Sequence, residues 1–71
     1  MKSRRHVELI REGDYVAEVQ VELTHEDEAW GPYLSVEDAE RLDAVREALR
    51  LGDLEKAGRL ARVYRLMPVA V

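Results

Sequence analysis

The feature that most constrains this chain is a change of hydrophobic period near its middle. From Tyr15 to Thr24 the apolar residues Ala17, Val19, Val21 and Leu23 alternate with Glu18, Gln20 and Glu22. Beyond Ser35 the spacing lengthens to three and four residues, at Ala39, Leu42, Val45 and Leu49. A period of two belongs to a strand with one wet face, and a period near 3.6 to a helix with one apolar stripe. Strands that come first and helices that follow define an α+β domain, because a parallel βαβ architecture would alternate them.

The remaining segments fit around this switch. His6 to Arg11 places Val7 and Leu9 at period two and reads as a strand with those two residues on its apolar face. Glu12-Gly13-Asp14 is a short polar connection whose glycine can take a positive φ, so the two strands are expected to form an antiparallel hairpin. Trp30-Gly31-Pro32-Tyr33-Leu34 reads as an apolar connector broken by Gly and Pro. Ser35 is a favourable N-cap with Asp38 at capping-box spacing, and Gly52 supplies a stop, giving a helix over 36–50. Asp53 caps a second, shorter helix ending near Ala61, with Leu54, Ala57, Leu60 and Ala61 as its stripe. The tail from Arg62 to Val71 is rich in β-branched and aromatic residues, and Pro68 suits an edge strand. The expected order is β-β-α-α-β, a small antiparallel sheet with an αα-hairpin packed on one face.

Size limits what such a fold can do alone. The 71 residues make a single domain, residues 1–71, and a chain of this length buries only about 60 % of the surface it exposes when unfolded. There is no Cys and no Phe, and only one Trp, so disulfide staples and thiolate metal sites are excluded and the core must be thin and aliphatic. A partner or a second copy would add buried area, and an exposed edge strand in the C-terminal tail offers a template for homo-oligomerisation. No apolar run approaches the roughly 18 residues of a membrane span. Met1-Lys2-Ser3-Arg4-Arg5 leads into alternating charge rather than the apolar centre of a signal peptide, so a cytoplasmic protein is expected.

Catalytic chemistry finds little material. His6 and His25 are the only imidazoles, and although Glu26, Asp27 and Glu28 lie beside His25, a metal needs three or four convergent ligands. Asp38, Asp43 and Glu47 read as helix-surface carboxylates, and the glycines at 13, 31, 52 and 58 form no phosphate-binding loop. No catalytic residue, metal or cofactor is expected, and the chain reads as non-enzymatic.

Two kinds of interaction surface remain. Trp30 and Tyr33 either close the mouth of a small core or anchor another protein, and Tyr64, Leu66 and Met67 on the C-terminal strand would extend such a contact. Seven acidic residues and no Lys or Arg lie between Glu12 and Glu28, and the net charge is −4, so an acidic hairpin would be steered toward a basic partner. The alternative is a small nucleic-acid-binding regulator in which the two helices act as a helix-turn-helix and Arg59, Arg62 and Arg65 meet phosphate.

The block from Ala48 to Ala57 resembles a turn of tetratricopeptide-type repeats, over half a unit only. Over most of the chain, the segment Tyr15-Val16-Ala17-Glu18-Val19, the block Trp30-Gly31-Pro32-Tyr33-Leu34-Ser35 and the ending Leu60-Ala61-Arg62-Val63-Tyr64-Arg65-Leu66 are similar to small bacterial proteins of antitoxin-like type. The portion from Tyr15 to Leu42 resembles the HicB-type antitoxins, whose small partial RNase-H-like domain covers a toxin. That resemblance implies a small acidic protein-interaction module that masks another protein.

Overall fold

A computed structural model describes residues 2–25 and 31–70. Two long strands, β1 (Lys2–Glu12) and β2 (Tyr15–His25), form an antiparallel hairpin in unbroken register from Lys2 opposite His25 to Glu12 opposite Tyr15. Only Gly13 and Asp14 separate the strands. Gly13 has φ 60° and among the described residues no non-glycine residue has a positive φ, which fits a primed hairpin turn with glycine in its first central position.

β2 is central. On the side away from β1 it pairs antiparallel at one end with β3 (Tyr33–Leu34) and at the other with β4 (Arg62–Arg65), so four strands share one sheet. Between β3 and β4 in the chain come α1 (Val36–Leu51) and α2 (Leu54–Leu60), and the order is β-β-β-α-α-β. The α+β class and the helix pair on one side of the sheet follow the sequence. Other features differ from it. Tyr33–Leu34, expected as a connector, adds a short strand, because Leu34 opposite Leu23 places an apolar side chain against the core. The last strand stops at Arg65, although Leu66 still donates its N–H to the Asp14 carbonyl at 2.6 Å.

The helix boundaries have local causes. Ser35 Oγ accepts the Asp38 N–H at 3.1 Å at the start of α1, and Asp53 Oδ1 accepts the Lys56 N–H at 3.1 Å at the start of α2. Gly52, at φ 77°, ends α1 with the Asp53 N–H on the Ala48 carbonyl at 2.8 Å, a Schellman-type closure that needs the left-handed conformation.

The core is a single layer between sheet and helices. Ala17, Val19 and Val21 of β2 meet Leu42, Val45, Ala48 and Leu49 of α1 and Ala57 of α2, with Ile10 the sole buried residue of β1. Here the first strand is turned relative to expectation. The tight turn sets Ile10 opposite Ala17, and in a strand a shift of one residue exchanges the faces. Val7 and Leu9 therefore lie on the helix-free face, 45 % and 63 % exposed, while Arg4, His6 and Glu8 take the helix side.

A candidate interaction surface on the open sheet

Both helices pack on one side of the sheet, so among the described residues its other side has no layer over it. By alternation that open face carries Val7 and Leu9 of β1, Val16 of β2 and Tyr64 of β4, with Val16 directly opposite Tyr64. Val7, Leu9, Tyr64 and Leu66 are exposed and Val16 is half-buried. Charged residues interleave with the apolar ones: Arg11 lies opposite Val16 and Glu18 opposite Leu9, with Arg5 opposite Glu22 and Arg62 opposite Glu18. Exposed apolar side chains set among polar and charged ones are the usual composition of a non-obligate protein-binding surface.

The expected partner-binding residues divide. Tyr33 pairs with Thr24 and Tyr64 with Val16, which puts both on the open face but at opposite ends of β2. Eight strand residues separate those ends, about 26 Å at 3.3 Å per residue. Leu66 continues the Tyr64 side of β4, and Met67 lies exposed beyond it. Trp30 is outside the described residues. Val7, Leu9 and Val16 complete the surface and were missed as contact residues, because period-two alternation shows that a strand has two faces but not which one is covered.

The arginines proposed for phosphate contact do not share a face. Arg59 is on α2 beside Glu55 at 3.7 Å. Arg62 is on the open face, where a side-chain hydrogen bond to Tyr64 and the nearby Glu18 hold its guanidinium above the usual range. Arg65, opposite Tyr15, falls on the other side of the strand. The hairpin likewise carries mixed charge, since β1 sets Lys2, Arg4, Arg5 and Arg11 beside the acids of β2.

The gap between β3 and β4 is the most constructed polar feature. Glu22 and Gln20 of β2 have no strand beside them there, and α1 supplies side chains instead. Asp38 Oδ2 accepts the Glu22 N–H at 2.9 Å, and Arg41 donates to the Gln20 carbonyl. Asp38 and Arg41 also pair with each other at 2.9 Å. Asp38 was expected to complete a capping box. Its backbone N–H does bond to Ser35, but its carboxylate turns to the sheet, where an unpaired backbone N–H is costly. An open depression of about 470 Å³ lies beside this pair, with Arg5, Glu22 and Glu37 among its walls. The Asp38 and Arg41 side chains are bonded to each other and to the strand backbone, so the pair fastens α1 to the sheet edge.

Among the described residues no group of three or more His, Asp or Glu side chains could hold a metal ion. His6 Nε2 bonds to Glu8 Oε2 at 3.1 Å along the same strand. The acids at 26–28 considered beside His25 lie outside the described residues. No described helix is long and apolar enough to cross a membrane.

Fold and surface together define a small two-layer α+β protein with one sheet face uncovered among the described residues. Comparison with protein-family models, with curated proteins and with solved structures gives no match.

Proposed function

We propose that the chain is a non-enzymatic protein-interaction module, antitoxin-like in the sense its sequence suggests, that docks another protein on the helix-free face of its sheet. The observation that carries this reading is surface left open. The accessible surface is 5830 Å², whereas a folded monomer of 8.2 kDa exposes about 4500 Å². The radius of gyration is 14.3 Å, against about 11 Å for a compact domain of this length. The excess of about 1300 Å² belongs to an elongated molecule whose sheet its helices cover on one side. Exposed Tyr64, Leu66, Val7 and Leu9 give that surface its apolar part.

The partner has an apolar contact region with charges of both signs around it, to meet Arg5, Arg11 and Arg62 as well as Glu18 and Glu22. The net charge of −4 favours a basic partner at long range, with an attraction that weakens as salt rises.

The test compares proteins captured from the native cell by the wild type, by the double variant Tyr64→Ala/Leu66→Asp, and by the α1 control Glu47→Ala. One stoichiometric protein is expected with the wild type and the control and lost with the double variant, whose circular dichroism stays that of the folded protein. Equal capture by all three, or capture of nucleic acid alone, would contradict the proposal.

A further inference from the structure

The free edge of β1 has a separate property, independent of the open-face reading. Its backbone direction follows from β2. The Glu22 N–H and the Gln20 carbonyl point away from β1, toward Asp38 and Arg41. Arg5 and Val7, opposite Glu22 and Gln20, are therefore non-hydrogen-bonded pairs with β2 and direct their own N–H and C=O outward. The register contains no bulge, so alternation extends the outward set to Ser3, Arg5, Val7, Leu9 and Arg11. The described structure places no strand beside this edge. It is an 11-residue strand edge, and such an edge is a template for another strand.

The side chains specify which strand fits. On the helix side, β1 is basic in its first half, with Lys2, Arg4 and His6, and acidic in its second, with Glu8 and Glu12. Antiparallel pairing with an identical strand brings each basic half against the other copy's acidic half. We propose that the occupant of this edge is β1 of a second copy, paired antiparallel about a two-fold axis at Val7, so that two four-stranded sheets become one continuous sheet.

Outward-pointing residues must face one another, which limits the register to steps of two. The register centred on Val7 is the one that pairs the strand over its whole length. It sets Lys2 opposite Glu12, His6 opposite Glu8 and Arg4 opposite Ile10 with Glu8 and Glu12 on its diagonals. On the open face it sets Arg5 opposite Leu9, whose apolar surface the arginine stem can cover. Sliding one step in one direction would set Arg4 opposite Glu12 but oppose Glu8 to Glu8 and Arg5 to Arg11, and one step in the other would set Arg4 opposite Glu8 but leave Lys2 opposite Ile10 and Glu12 without a facing residue in the strand. Like charges directly opposite count against the first slide, and lost overlap with both Lys2–Glu12 pairs counts against the second, so the centred register is favoured.

Purified protein without any partner tests this, so its failure is separable from failure of the docking reading. Sedimentation equilibrium is expected to give twice the 8.2 kDa chain mass at high concentration. Hydrogen exchange should protect the amides of Arg5, Val7 and Leu9 under those conditions and release them on dilution. Val7→Pro removes an outward N–H without breaking a bond to β2, and is expected to give a folded monomer. Glu12→Lys should weaken self-association about tenfold, and Lys2→Glu/Glu12→Lys should restore it, because both symmetry-related pairs are reversed together. A wild type that stays at one chain mass would overturn the proposal. So would a dimer indifferent to Val7→Pro and to the charge reversal, since either variant alone is sufficient to read the edge.

Discussion

At the scale of single residues, Asp38 shows how position changes the worth of a carboxylate. Its side chain is 18 % exposed and answers a backbone N–H of β2, whereas that of Asp43, one and a half turns on, is 79 % exposed and pairs only with Arg46. Asp38→Ala is expected to cost about 1 kcal/mol, since the Glu22 N–H loses its side-chain acceptor and Arg41 keeps the Gln20 carbonyl alone. Asp43→Ala should fall within about 0.5 kcal/mol of the wild type. Urea denaturation of the two variants checks this, and equal loss would mean that the bridge contributes nothing. The sequence shows Asp38 three residues after a serine cap, which predicts the backbone bond it makes. It does not show the gap between β3 and β4 that claims the side chain, because that gap exists only once strands from three parts of the chain have assembled.

At the scale of elements, the period of the apolar residues is legible wherever one face is truly covered. β2 alternates cleanly because Ala17, Val19 and Val21 meet the helices, and α1 shows its stripe because Leu42, Val45 and Leu49 meet β2. β1 misleads for the same reason: it is an edge strand with one buried residue, so its most regular apolar pair, Val7 and Leu9, reports the open face. The two-residue β3 is too short to show a period at all. Valine at 45 is fully buried, and Val45→Ala should cost about 2 kcal/mol, the transfer of two methyl groups plus the cavity they leave. The glycines of the helix pair should respond in opposite directions. Gly52 holds φ 77°, and Gly52→Ala is expected to destabilise by about 1 kcal/mol. Gly58 lies inside α2 with open space where a Cβ would stand, and Gly58→Ala should stabilise by about 0.5–1 kcal/mol. Melting temperatures moving in the same direction for both would contradict these assignments.

At the scale of the whole molecule, a thin aliphatic core holds a long, flat sheet. The principal extents are 45 × 30 × 15 Å, and the buried residues gather beneath the helices. Such a chain gains most from anything that covers the sheet or extends its edge, so its melting temperature should rise with protein concentration as copies associate. A melting temperature unchanged over a hundredfold range would contradict self-association. The surplus surface was foreshadowed by length and composition, which announce a small core in need of help. The location of that surface was not, because it depends on which side of the hairpin the helices choose.

The most direct measurement for the docking reading places a photo-cross-linking residue at position 64, on β4 and away from the β1 edge, and irradiates it in the native cell. One adduct to a different protein is expected from position 64 and none from position 47 on α1. Absence of an adduct from position 64, or the same adducts from both positions, would contradict the claim that the open sheet face is where this protein meets its partner.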